Sequence, residues 1–461
     1  MKKIYLNTIP TAWSGYPHAV VAGGFFFISS ILALNEKGQL ISQWDEFPQK
    51  EGRISSGFLG VDAVIAPVEA QASIIYNHLE SLMASQGCSL KDLLRIHIYQ
   101  KEKRFFPNFE KVRMLRESSD PAPSSGIGVC DSSPDGKAWI TLDGIGIANK
   151  DWKFKSKREV LRSSGSLPET SYFSQAIEAG PYIFIAGQIP IQTTKPGKPV
   201  VKSFDDVPEE GRFLQVGRSH TDSRNGPIAS QTWFVYNHIK NILEGAGSSI
   251  DDIINVTVFL QNMDDIATFH QIHCNIFKNH FPALTVTEFK QVGHKGSLIE
   301  IEVTALRSQH DIERRNVTTV NSLKQILHSA FAVIGGPLIF ISGQAGIDET
   351  GKVINNLNGL PKDVWQHAEA LSRMTGRWKV IFQVFRIFEN LKLILAEAGL
   401  SIKSVARMVI YLKDFGDFPS IDAVSRYYFE SDTPSIACVK IPRVHPVPGT
   451  LMAIEAIAVK E

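Results

Sequence analysis

Few side-chain groupings in this chain could do chemistry, and most have an ordinary alternative. The stretch VGRSHTDSRNGP brings Arg218, His220, Asp222 and Arg224 into a Gly-, Pro- and Ser-rich segment. Two guanidiniums so close could hold an anion, although segments of this composition are as a rule solvated loops. His270, His273 and Cys274, with His280 beyond them, give an H-x-x-H-C spacing that could set three ligands on one helix face. No acidic ligand accompanies them and the spacing is not repeated, so packed or exposed histidines are expected, and no metal. His367, Glu369, Arg373 and Arg377 read as charges on a helix surface. The sequence has no Gly-rich phosphate loop, no G-x-S-x-G elbow and no basic–aromatic stripe, so neither a cofactor nor nucleic acid is expected.

The elements that must position such groups come from a chain of 461 residues, 43% apolar and 21% charged. That composition supports about three ordinary domains with real cores and excludes disorder. Lys and Arg number 48 against 47 Asp and Glu, so no basic excess points to a polyanion. Cys88, Cys130, Cys274 and Cys438 lie far apart, which argues against a disulfide framework and fits a reducing, cytoplasmic setting. The uncharged run from Ala19 to Leu34 imitates a signal or a membrane span. It is shorter than the roughly 18 residues a span needs. Its central glycines suit two strands better, and no membrane segment is expected.

The chain repeats itself three times. Segments starting at Gln71, Gln231 and Gln383 each carry an aromatic residue five positions on (Tyr76, Tyr236, Phe388) and a glycine eleven further (Gly87, Gly247, Gly399). Apolar three- and four-residue spacing before the glycine predicts a helix closed by a left-handed Gly. The IHIYQ, VTVFL and MVIYL blocks that follow alternate as strands do. Upstream lie GGFFFISSILAL, GPYIFIAGQIPI and GPLIFISGQAGI; downstream lie WITLDGIGI, LIEIEVTAL and LMAIEAIAV. Three echoes in one order divide the chain into units at 1–155, 156–310 and 311–461. Each unit reads strand–strand–insert–helix–strand–helix–strand, an α+β layer with helices on one face of a mostly antiparallel sheet. The polar joins Lys150 to Ser166 and Arg307 to Asn316 read as surface linkers.

On YFSQAIEAGPYIFIAGQIPI, NILEGAGSSIDDIINVTVFLQNMDDIATF and IEIE in the second unit, and IFISGQAGIDETGKVI and IEAIAV in the third, the chain resembles the YjgF/RidA family. The resemblance implies three chorismate-mutase-like domains arranged as a pseudo-trimer, with a central β-barrel and helices outside. It also implies small-molecule pockets where units meet. Such a chain should be a monomer acting as its own trimer. Ser124 to Gly128 of the first unit is weakly similar to the chorismatases, distant relatives that hydrolyse an enol ether.

The family's hydrolysis of enamines and imines implies an Arg in P-x-R-S holding a carboxylate, a Glu in the last strand positioning water, and a Tyr lining the pocket. Read along the chain, Pro123, Leu284 and Ile436 stand where the Arg should be, so the usual anchor is lost in every unit. The Glu persists as Glu300 alone, with Thr141 and Ala453 at the other two positions. The Tyr matches Tyr16, Phe173 and Ser329. Cys438 matches a small pocket-wall residue, and the S-G-Q turn leaves Gly187 and Gly343. Glu300 and Tyr16 are thus the expected catalytic pair. Phe173, Cys438, Gly187 and Gly343 are the expected substrate contacts, with Arg218 and Arg224 as replacement anion anchors. Two functions stay open: a hydrolytic enzyme of the imine, enamine or enol-ether type acting on a small-molecule substrate, or a degenerate ligand-binding or scaffold protein.

Overall fold

A computed structural model describes residues 1–43, 46, 59–117, 120–154, 158–160, 172–321 and 323–461. The same sheet is built three times. The first comprises β1 (Lys2–Ile4), β2 (Ala19–Ala22), β3 (Phe25–Ile31), β4 (Leu93–Gln100), β5 (Ser124–Gly128) and β6 (Ile140–Ile147), with helices α1 (Leu59–Ala84) and α2 (Phe106–Arg116). The second comprises β7 (Arg158–Val160), β8 (Ala176–Ala179), β9 (Tyr182–Gln188), β10 (Ile253–Leu260), β11 (Ala283–Glu288) and β12 (Ile299–Leu306), with α3 (Ser219–Gly245) and α4 (Ile266–Ile276). The third comprises β13 (Arg314–Val317), β14 (Ala332–Gly335), β15 (Leu338–Ala345), β16 (Val405–Leu412), β17 (Ser435–Lys440) and β18 (Met452–Val459), with α5 (Trp365–Thr375), α6 (Trp378–Glu397) and α7 (Phe418–Phe429).

Every sheet has the spatial order first–second–third–sixth–fourth–fifth, and only the fourth and fifth strands pair in parallel. Two strands per unit go beyond the sequence reading. The short edge strand β1 opens the first unit, β7 lies inside one polar join and β13 at the end of the other, and β5, β11 and β17 follow the second helix. Three or four residues are too few for an alternation to show, and an edge strand tolerates charge. The long helices end as expected: Gly87, Gly247 and Gly399 follow them at φ 71°, 69° and 76°. The second unit's insert differs from expectation. The polar segment becomes the start of α3, with Asp222 accepting the Val216 and Gly217 N–H groups at 3.0 and 2.9 Å. Among the described residues no helix is long and apolar enough to cross a membrane.

In each unit the long helix packs on the sixth and third strands, and a separate apolar core forms beneath it. The opposite sheet faces meet one another. Leu94, Phe25, Ile254, Tyr182, Ala406 and Leu338 belong to one apolar cluster drawn from all three sheets, and Tyr99, Phe259 and Tyr411 to a second. The contacts run in cyclic order: β5 packs against β9, β11 against β15, and β17 against β3. Backbone bridges Gly128–Gln291, Glu288–Arg443 and Asp131–Lys440 tie the strand ends in the same rotation.

Charged residues occupy the shared faces as well. Arg95 on β4 reaches Glu302 on β12 at 3.0 Å, and Arg407 on β16 reaches Asp143 on β6 at 2.7 Å. His97 bridges the two acids, with Nδ1 at 2.7 Å from Asp143 and Nε2 at 3.0 Å from Glu302. At the third seam Asn255 takes the place of the Arg, and burial pushes the Glu455 carboxyl up. Each large apolar side chain buried here is worth roughly 1.5–3 kcal/mol, whereas a buried ion pair is near neutral overall. The apolar clusters therefore supply the stability, and the ion pairs penalise a wrong partner.

Burial alone would lower the His97 imidazole, but Glu302 and Asp143 outweigh it and push it up to about 9. Burial would raise Glu302, yet Arg95 and His97 hold it down at about 2. His97 therefore stabilises the fold fully below its ordinary value of 6.5 and loses that contribution as pH rises towards about 9. Glu302 contributes fully above its ordinary 4.5 and loses its contribution as pH falls towards about 2. Thermal unfolding across pH should accordingly show greatest stability between these ordinary values. His97→Phe should flatten the alkaline decline at a cost on the order of 3–5 kcal/mol.

Candidate functional site

The three seams are built alike and end unequal. The third strand of each sheet carries a bulge, at Ser29–Ser30, Ala186–Gly187 and Ser342–Gly343. At two seams the bulge serine stitches the units together. Ser29 Oγ accepts the Ile436 N–H at 3.1 Å and donates to the Pro17 carbonyl at 2.6 Å. Ser342 Oγ accepts the Leu284 N–H at 2.8 Å and donates to the Ala330 carbonyl at 2.6 Å. Between the first and second units the bulge residue is Ala186, which has no hydroxyl to offer.

Cavity size follows the stitching. The cavity between the second and third units is about 40 Å³ and includes Gly343, Thr285 and Ala453 in its wall. The one beside Tyr16 and Trp13 is about 20 Å³ and is walled by first-unit residues alone. There Trp13 packs on Phe418 at 4.3 Å between ring centroids and Tyr16 lies at 6.3 Å from the same ring, so the third-to-first seam is filled by aromatics. The unstitched seam between the first and second units opens into a cleft of about 790 Å³.

Lys103, Phe106, Ser124 and Gly126 of the first unit face Phe173, Gly187, Glu300 and the 290–297 loop of the second across this cleft. Glu300 is 3% exposed, and its Oε2 accepts the Gly293 N–H at 3.1 Å. Burial raises its carboxyl, opposed by the Lys103 ammonium and the Gly293 and Gly126 backbone. Lys103 is half-buried; burial lowers its ammonium while Glu300 raises it. Its Nζ donates to the Gly126 carbonyl and lies 5.7 Å from the centre of the Phe106 ring. Two glycines make this geometry possible. A Cβ on Gly187 would stand 2.1 Å from Glu300 Oε1, and one on Gly126 would stand 2.8 Å from Phe106.

Of the residues singled out in the sequence, Glu300, Phe173 and Gly187 share this cleft. The others lie elsewhere. Tyr16 is 1% exposed at a different seam, so it cannot pair with Glu300, and burial pushes its phenol up. Cys438 is fully buried in the third unit's core, where burial raises its thiol, because β17 turns that position inward under α6 and α7. Gly343 lines the small second-to-third cavity. Arg218 and Arg224 stand exposed at the start of α3, outside the cleft. The strand register also corrects one alignment. Ile96, Val256 and Met408 pair with Ser124, Leu284 and Ile436, so Ser124 rather than Pro123 stands at the anchor position of the first unit. His273 is enclosed between Tyr236 Oη at 2.7 Å and the His328 carbonyl at 3.0 Å, and among the described residues no group of metal ligands forms. Lys103 was missed because it sits in a charged run, KEKR, that reads as solvated surface.

A family model described as Endoribonuclease L-PSP matches residues 215–307 and 368–460. A RutC family protein of Pyrococcus horikoshii is 34% identical over 150 residues, 32% of this chain and 98% of that relative. The chain belongs to the YjgF/RidA family. Among solved YjgF/RidA-like structures, yeast Mmf1 is 25% identical and covered over its full length by 33% of this chain, with a TM-score of 0.26. A chorismatase is 13% identical, aligned over 80% of this chain and 93% of its own, with a TM-score of 0.46. Neither likeness bears on the reaction.

Ser29→Ala and Ser342→Ala should each lose about 1–3 kcal/mol, because each leaves a buried backbone N–H unpaired. Chemical denaturation of the two variants beside the parent measures this directly.

Proposed function

We propose that this chain is a small-molecule hydrolase working at one cleft, the open seam between the first and second units. The observation that carries the reading is a buried carboxyl, Glu300, facing a half-buried ammonium, Lys103, in a cleft large enough for a ligand. A carboxyl raised by burial can donate its proton to the β-carbon of an enamine, leaving an iminium. As a carboxylate it then takes a proton from the water that attacks the iminium carbon and passes that proton to the leaving amine, and the carbinolamine hydroxyl returns its own proton to the carboxylate as the carbonyl forms, which restores the acid. The sum is one water consumed and one C–N bond exchanged for a carbonyl. Enol-ether hydrolysis needs the same proton transfers, through an oxocarbenium and a hemiketal, with an alcohol leaving. Lys103 takes over the anion-holding task of the lost Arg from a different element, the turn before α2, as a point charge rather than a fork. The two stitched seams have neither the carboxylate nor the room, which favours a purely structural role for them.

The same reading makes the molecule a single-chain counterpart of a trimer. Its units at 1–155, 156–310 and 311–461 close a central β-barrel with helices outside, and the chain stands as a monomer, consistent with a cytoplasmic enzyme. The cyclic seams and the ion pairs shared across them support this arrangement. Light scattering should return one chain mass, 51.1 kDa; three times that value would refute it.

Ammonia release from α-imino acids generated in solution, together with alcohol release from enol-ether carboxylates, tests the chemistry. Glu300→Gln should lower turnover at least 100-fold with an unchanged melting temperature. Lys103→Met should act mainly on KM. Full turnover by Glu300→Gln removes the assignment.

A further inference from the structure

A second cavity of about 640 Å³ adjoins the cleft, and the two share His294, Lys295 and Gly296 as a common wall. Its outer side is formed by the turn that joins Ile191 to Val200, together with Lys202. The corresponding turns of the other units run from Leu34 to Leu40 and from Ile347 to Val353, so the second unit's turn is three residues longer. The unit with the longer turn is the one whose cleft is open. Lys198 in this turn has a φ of 44°, a conformation in which only two non-glycine residues are found among the described residues. For a residue with a long side chain that geometry is costly, and such strain concentrates where a side chain is aimed at a ligand.

Charge follows the same line. Lys198, Lys202 and Lys295 surround the second cavity, and among the described residues no ion pair engages any of them. No Asp or Glu lines this cavity. His294 links the two spaces: burial lowers its imidazole, Lys103 from the first and Lys198 from the second add to this, and Glu110 in the wall of the first opposes them. Lys103, Lys198, Lys202 and Lys295 thus form one cationic path leading from Glu300.

We propose that the ligand of the cleft is an elongated dianion. Its reactive end lies between Glu300 and Lys103, and a second anionic group at its far end is held by Lys198, Lys202 and Lys295 in the adjoining cavity. This rests on the reading of the cleft given above and extends it to the substrate class. A compact amino-acid-derived enamine would leave the second cavity empty. A carboxylate or a phosphate at the far end would satisfy the same lysines.

Calorimetric titration of the full chain at low ionic strength separates these possibilities, with pyruvate, decanoate, sebacate and 10-phosphonodecanoate as probes. Sebacate or the phosphonate should bind at least tenfold more tightly than decanoate, and the tighter of the two identifies the terminal group. The triple variant Lys198→Gln/Lys202→Gln/Lys295→Gln should reduce both dianions to the decanoate affinity and leave pyruvate and decanoate unchanged. Lys103→Met should weaken all four. Equal affinity for decanoate and both dianions in the parent chain, or dianion binding indifferent to the triple variant, overturns the proposal. If Lys103→Met changes nothing, the reading of the first cleft falls instead, whatever the dianions do.

Discussion

A β-sheet covered by helices on one face still has a second face to remove from water, and the rest of this structure follows from how that is done. Each of the three sheets turns its free face to the other two, and two apolar clusters are completed only by residues from all three. No third of the chain holds those clusters alone. Apolar burial is non-directional, so it would accept the sheets in many relative positions. The ion pairs supply direction. Arg95 meets its acid on the second sheet, Arg407 meets its acid on the first, and a shifted sheet would strand a charge in the interior.

Covalent linkage lets the three seams differ. In an assembly of identical copies a change at one interface is made at all of them. Here Ser29 and Ser342 close two seams, while Ala186 leaves the third without its bridging hydrogen bond. Aromatic side chains fill one closed seam, and Ala453 removes the carboxylate from the other. The open seam keeps Glu300, and the glycines at 126 and 187 keep the room around it. The asymmetry thus comes from a handful of side chains placed on a backbone that repeats closely.

Much of this architecture was legible in the residues. The helix period before Gly87, Gly247 and Gly399, and the alternation after them, depend on neighbours a few positions away, so they survive without tertiary knowledge. The edge strands β7 and β13 did not announce themselves, because three or four residues, two of them charged in each strand, gain their strand conformation only from pairing with β8 and β14. The start of α3 was obscured by its polar composition and by Pro227, which the helix accommodates. The acids Asp143, Glu302 and Glu455 stand at one repeated position of the last strand, a signal present in the aligned echoes and passed over beside the more familiar Glu300.

By itself the sequence determined that a single α+β pattern recurs three times, that the recurrences are related to a known family, and that one of them alone retains a carboxylate at Glu300. Those are properties of local order and residue type. Only the tertiary structure decided which side chains share a space: Lys103 with Glu300, Tyr16 with Phe418, Cys438 with the core, and Arg218 and Arg224 with solvent. The physical reason is that a seam is made by residues hundreds of positions apart, and whether it opens depends on volumes and single hydrogen bonds to which no periodicity along the chain is sensitive.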